Sequence, residues 1–399
     1  SATEAEAVNS KLESQSAVRA ADTSVRFHAT QTNDSLYGNL WNLNNAAGST
    51  YGVDAEDAWT TSKGSGSVVA VIDSGIIIHS DLTDSSSIVG GNVLAGYDFI
   101  SDPKYSNDGD GYDSDPTDVV PADEYHGTHV AGTVAAIANN AKGVVGVAPE
   151  AKVQPVRVLG KDGGSEEDIV AAIRWAAGLS VSGVPTNPTK ADVINLSLGG
   201  SGTCGFAMQA AINAAVAAGT AVVAAAGNDA SSLANSMPAD CANVIRVTAS
   251  TNTGGLAYYS NYGTSSTPAT IAAPGGSATT STDPDPTHWI LSTWRDSDGA
   301  TYAGMEGTSM AAPHVSGILA LMKAANPSLT VGQLTAMLTA TAQPFSTSAC
   351  SSAACGVGVA NASTAVALAE GLQLSAPTRT ATTRVGTQVT ASASVNPSS

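Results

Sequence analysis

Short, mostly apolar runs recur along the chain at residues 67–72, 152–159, 192–198, 220–226 and 243–249. Each is rich in Val, Ile, Leu or Ala and gives way to polar residues or glycine, the pattern of a strand buried on both faces of a parallel sheet. Segments 128–139, 166–178 and 206–218 carry apolar and small residues at helical spacing instead. Alternating strands and helices predict an α/β fold with a mostly parallel central sheet and helices on both faces. Sites in such sheets gather at the carboxyl ends of strands. Asp73, Leu198-Gly199 and Asn228 fall at such ends. A further small-residue helix is predicted over 311–325, with Pro313 in its first turn, where a missing N–H does no harm.

The two ends of the chain read differently. Residues 1–28 are polar, with a short helix expected over 4–17 and an extended piece at Val25-Arg26-Phe27-His28. Periodicity fades around Gly371, and 376–399 is rich in Thr, Ser and Val. The expected organisation is an N-terminal extension (1–28), one α/β domain (29–372), and a linker or the first strands of a truncated domain (373–399). A segment that short cannot bury a core alone.

Charge narrows the partners. Thirty-four acidic residues against 16 basic ones give a net charge of −18. That balance disfavours nucleic acid and anionic membranes. It reads as solubility, or as steering of basic protein substrates. No stretch of 18 apolar residues predicts a membrane span, and a monomer is expected. The four cysteines, Cys204, Cys241, Cys350 and Cys355, allow three pairings, of which nearest-neighbour pairing would close 204–241 and 350–355. None forms a Cys-x-x-Cys pair, so disulfides in an oxidising, extracellular setting are the reading.

Three motifs bring chemistry. Asp73 ends Val71-Ile72-Asp73-Ser74-Gly75, His126 opens His126-Gly127-Thr128-His129, and Ser309 sits in Gly307-Thr308-Ser309-Met310-Ala311-Ala312-Pro313-His314. An acid, an imidazole and a hydroxyl can make a Ser-His-Asp triad, whose order along the chain differs between unrelated folds. Taken singly, each has a plain alternative. Asp73 would also suit a phosphoryl acceptor or a helix cap. His126 and His129, three apart, could face one metal, but a zincin needs a four-residue step and a Glu where Gly127 stands. The order Asp, His, Ser and the full motifs resemble the subtilisin-like serine proteases, over about residues 36–372. An α/β-hydrolase would need Gly-x-Ser-x-Gly and another order, and a sedolisin-type peptidase would place Glu where His126 stands.

The resemblance implies roles for particular residues. Ser309 would be the nucleophile, His126 the general base and acid, Asp73 its orienting carboxylate, and His129 structural. Asn228, in Ala224-Ala225-Ala226-Gly227-Asn228, matches the oxyanion-hole asparagine; a turn asparagine is the alternative. Ser197, Leu198 and Gly199 resemble one peptide-binding edge, and Gly163 and Gly164 the other, so an extended substrate would be read by strand addition. Ala225, Ala226 and Gly227 would wall a P1 pocket open to large apolar side chains, its floor near Ser236-Met237-Pro238. Residues 1–28 would be the remnant of a pro-segment, so the chain's own pro-domain and protein or peptide substrates are the expected partners.

Calcium is the expected structural cofactor. Asp81, in His79-Ser80-Asp81-Leu82, matches a calcium-binding aspartate of that family. Independently, Asp102, Asp108, Asp110, Asp113, Asp115 and Asp118 crowd residues 102–118. Six hard-oxygen carboxylates suit Ca²⁺, although Asp118, in the place of the loop's glycine, argues against an EF-hand. A solvated acidic loop is the alternative. The whole reads as a secreted serine endopeptidase, with a catalytically silent binding protein of the same fold as the alternative.

Overall fold

The computed structural model describes residues 32–44, 51–83, 86–119, 125–278, 285–346 and 350–371; the expectations for residues 1–28 and for the segment after 371 lie outside them. The central sheet holds seven strands. In chain order these are β1 (Val68–Asp73), β2 (Tyr97–Asp98), β3 (Lys152–Arg157), β4 (Val193–Leu196), β6 (Ala221–Ala225), β8 (Ile245–Ser250) and β9 (Ile271–Pro274). Two more short strands, β5 (Gly200–Ser201) and β7 (Ser236–Met237), pair antiparallel with each other. The sheet order is β2-β3-β1-β4-β6-β8-β9, and every pairing within it is parallel. The five predicted strands are β1, β3, β4, β6 and β8; β2 and β9, at the edges, were not predicted.

Alternation along the strands divides the interior in two. Val69 and Val71 of β1 join one buried cluster, with Val153, Val193, Val223 and Val247. Val68, Ala70 and Ile72 join the other, with Ile194, Leu196 and Val222. Successive side chains of a strand point to opposite faces. The first face is covered by the histidine helix (His126–Ala135) and the serine helix (Thr308–Ala325), the second by the helices Glu166–Ala176 and Phe206–Ala217. Helices therefore cover both faces, as expected.

Two helix bounds differ from expectation in a way that bears on the site. The histidine helix ends at Ala135, not near residue 139, where Ala136 turns extended with ψ 141°. The serine helix begins at Thr308, three residues early, so Pro313 lies in its second turn. Its missing N–H leaves the Ser309 carbonyl without the usual i+4 donor. That carbonyl accepts instead from Ser197 Oγ, at 2.6 Å.

An antiparallel hairpin, β10 (Ile290–Asp296) and β11 (Gly299–Met305), packs on the histidine helix. Ser292 Oγ and Thr293 Oγ1 donate to the carbonyls of His129 and Thr128. Both disulfides join nearest neighbours, Cys204–Cys241 and Cys350–Cys355. The first ties together the loops that follow β5 and β7. Among the described residues, no helix is long and apolar enough to cross a membrane.

Candidate active site

A cleft of about 1370 Å³ opens over the carboxyl ends of β1, β4 and β6. His126, Ser309 and Asn228 line it, as do every predicted substrate-binding position: Gly163, Gly164, Ser197, Leu198, Gly199, Ala226 and Gly227. Asp73 lies just beneath, fully buried at the end of β1.

His126 Nδ1 stands 2.8 Å from Asp73 Oδ1, which also accepts from Ser74 N–H at 2.7 Å. Asp73 Oδ2 is buried without a protein hydrogen bond. The histidine helix comes close because residue 127 is glycine: a Cβ there would lie 2.3 Å from the Gly75 carbonyl. Gly127 thus clears the Asp73–Gly75 turn, and Gly132 clears Ser292 and Thr293 of β10. Gly127 N–H donates to Ser74 Oγ, and Ser74 Oγ in turn donates to the buried Asp118.

Ser309 occupies the first turn of its helix, where N–H groups have no intrahelical acceptor. Its Oγ donates to the Ser197 carbonyl at 3.1 Å. Ser197 is fixed from below, since its Oγ accepts from Asn195 Nδ2 while donating to the Ser309 carbonyl. The Asn228 side chain has a defined orientation. Its Oδ1 accepts from both the N–H and Oγ1 of Thr308, at 2.9 Å each. Asn228 lines the cleft, so an amide held in this way would present Nδ2 as the donor an oxyanion needs. On the far wall Gly160 and Gly163 pair across a tight turn, and Ser165 caps the Glu166–Ala176 helix.

The two other histidines of these motifs are core residues. His129 Nε2 faces the carbonyls of Ile290 and Ala303, at 3.0 and 3.1 Å. Burial, then the charge of His126, pushes its pKa down to about 3. His314 donates through Nδ1 to Met310 O and accepts at Nε2 from Asn42, and burial lowers its pKa to about 4. His129 Nε2 is thus engaged by two carbonyls, and among the described residues His126 and His129 belong to no cluster of three metal-ligating groups.

The candidate calcium ligands do not all converge. Asp81 is fully buried, and its oxygens accept from Asn140 Nδ2 (2.6 Å), Val144 N–H (2.9 Å) and the Tyr302 hydroxyl. All three partners donate to Asp81 in this arrangement, and two of them, Asn140 and Tyr302, also carry oxygens. Asp102 caps the short helix Pro103–Ser106 by accepting from Lys104 N–H. Asp115 accepts from Thr117. Asp108 pairs with the buried Arg157. Desolvation works against that carboxylate, but hydrogen bonds from Ser106 and Asp110 N–H and the Arg157 charge hold its pKa at about 2. Asp110 is exposed, and the charges of Asp113 and then Asp108 raise its pKa. Asp110 and Asp113 thus repel each other, and among the described residues no three of these carboxylates converge as a metal-ligating group.

Three residues that matter here were not singled out from the sequence. Thr308 orients Asn228. Arg157, fully buried at the end of β3, pairs with Asp98 and Asp108 and donates to the Ser106 carbonyl. Asn261 is fully buried behind Gly227. Thr308 lies within the serine motif and was open to inference; a lone buried Arg or Asn leaves no periodic signal.

Comparison with known proteins agrees with this geometry. Residues 64–369 match the model of the Subtilase family. An extracellular protease of Xanthomonas campestris pv. campestris is 46% identical over 387 residues, covering 92% of this chain and 62% of the relative. An extracellular basic protease of Dichelobacter nodosus is 40% identical, covering 78% of this chain and 52% of the relative. The chain thus spans between half and two thirds of these two relatives. Thermitase of Thermoactinomyces vulgaris is 36% identical over 273 residues, which are 68% of this chain and 79% of thermitase. A solved protease structure from Pseudoalteromonas arctica superposes with a TM-score of 0.78 at 45% identity, covering 85% of this chain and 99% of that one.

Proposed function

This chain belongs to the subtilase family, and on that premise we propose that it is a secreted serine endopeptidase working through Asp73, His126 and Ser309. The observation that carries the reading is the 2.8 Å contact of His126 with a buried Asp73 in a cleft that also presents Ser309 and an oriented Asn228. Ser309 Oγ swings from the Ser197 carbonyl to His126 Nε2 and gives up its proton as it attacks the peptide carbonyl. Asp73 stabilises the imidazolium. Asn228 Nδ2 and the Ser309 N–H hold the oxyanion. His126 then protonates the leaving amine, the C–N bond breaks, and an acyl-enzyme remains for water to hydrolyse.

The substrate lies extended between residues 163–164 and 197–199, joined by main-chain hydrogen bonds. Ala225, Ala226 and Gly227 leave the P1 pocket wide enough for a large apolar side chain. Maturation removes residues 1–28. Asp110 and Asp113 would hold calcium, which would offset their mutual repulsion and steady the loop 102–118 without entering the chemistry. Relatives named extracellular support secretion.

Ser309→Ala tests the reading. Hydrolysis of casein should fall by about 10⁴-fold or more, a scale set by subtilisin itself, while the melting temperature stays unchanged. Turnover retained by the variant would refute it.

A further inference from the structure

Behind the cleft, residues 259–262 run alongside the turn 227–233 that carries Asn228. Ala230 N–H donates to Tyr259 O, Tyr262 N–H to Ser231 O, and Asn261 N–H to Gly227 O, all at 2.8–2.9 Å. The Asn261 side chain adds five hydrogen bonds. Its Oδ1 accepts from Asp229 N–H (2.9 Å), Ser231 N–H (3.0 Å) and Ser231 Oγ (3.2 Å). Its Nδ2 donates to the Ala226 carbonyl (3.1 Å) and Ser236 Oγ (2.9 Å).

Asn228 is bracketed by this one residue. The carbonyl before it, on Gly227, and the N–H after it, on Asp229, both end on Asn261. The other half of the amide holds Ala226 and Ser236, in the wall and floor of the P1 pocket. Gly227 makes the approach possible: its φ is +103°, and a Cβ there would lie 2.3 Å from Asn261 Nδ2.

We propose that Asn261 is the positioning residue of the oxyanion hole, fixing the peptide planes that aim Asn228 and tying them to the P1 pocket. The proposal rests on the peptidase reading. The competing account is a purely structural one, because any buried loop suffers when so many polar groups lose their partner. The accounts differ once Asn228 is removed. A residue that acts by aiming Asn228 has little left to do when the amide is gone, whereas a structural defect persists.

A double-mutant cycle on kcat with a chromogenic peptide separates them, with Asn261→Ser, Asn228→Ala and the pair, each checked by thermal melting. Asn261→Ser should lower kcat by about 10-fold or more, within the roughly 10²–10³ that such an oxyanion amide contributes. In the Asn228→Ala background the same change should cost less than about 3-fold. An equal loss in both backgrounds, or no loss in the first, overturns the role. Should Asn261→Ser fail to fold, Asn261→Asp enters the same cycle under the same criterion. Hydrolysis by the unaltered chain, and its loss in Ser309→Ala, tests the peptidase reading separately. A flat cycle on an active enzyme therefore overturns Asn261 alone, and an inactive parent overturns both.

Discussion

The cleft and the acidic loop 98–118 both sit beyond the carboxyl ends of the strands, and both concentrate polar side chains, yet they are held in opposite ways. In the cleft each part of the proposed site is held by a neighbour with little freedom: Asp73 by Ser74, Asn228 by Thr308, the Ser309 main chain by Ser197. In the loop, carboxylates crowd one another, and burial pushes Asp98 up to about 7 even with Arg157 beside it. One buried guanidinium binds that loop to β3. Fixed dipoles aimed at a developing charge cost no reorganisation during reaction, whereas like charges need a counter-charge to stay together. The cleft is therefore built to act, and the loop is built to be neutralised.

Perturbing each region should expose that contrast. The largest stability effect belongs to the loop: Arg157→Met leaves Asp98 buried and unpaired and should cost about 3–5 kcal/mol in denaturant unfolding. Adding Asp98→Asn should recover much of it. Equal stability of Arg157→Met and the parent would show that the guanidinium is not the anchor.

Acid should act next, beside the cleft. His129 and His314 are buried as neutral rings with pKa values near 3 and 4, against about 6.5 when unfolded. Their contribution is fully present above about pH 6.5. It is lost as the pH falls toward 4, because the unfolded chain takes up protons that the folded one refuses. Stability should drop on the order of 1 kcal/mol per pH unit for each ring. A flat melting temperature between pH 6.5 and 4.5 would contradict this.

The smallest shift should come from chelation. For the proposed calcium site, EDTA should lower the melting temperature by about 2–4 °C for each kcal/mol that the ion contributes. Asp110→Asn with Asp113→Asn should abolish the shift, and Asp81→Asn should leave it in place. A shift carried by Asp81 alone would reverse the assignment.

What was legible in the sequence follows the same division. The five inner strands and the three motifs could be read because each compresses its information into consecutive residues: an apolar run, or a reactive side chain flanked by small ones. The hairpin β10–β11 could not, because its exposed half is rich in Gly, Asp and Thr and its register depends on the histidine helix beneath it. Nor could the start of the serine helix. Pro313 suggested a first turn, but the carbonyl it frees found Ser197 more than a hundred residues away. Asn261 was invisible for a related reason, since its partners come from the segment 226–236. Of the metal candidates, composition alone could not separate Asp102, a helix cap, and Asp108, an arginine partner, from Asp110 and Asp113.

The central claim is that one hydroxyl in the cleft is activated by His126 and Asp73. Labelling with a sulfonyl fluoride, followed by peptide mapping, tests it most directly. The account predicts one adduct per chain, on Ser309, formed in step with loss of hydrolysis and no longer formed by His126→Ala. Hydrolysis that survives complete labelling of Ser309, or inactivation through a different residue, would contradict it.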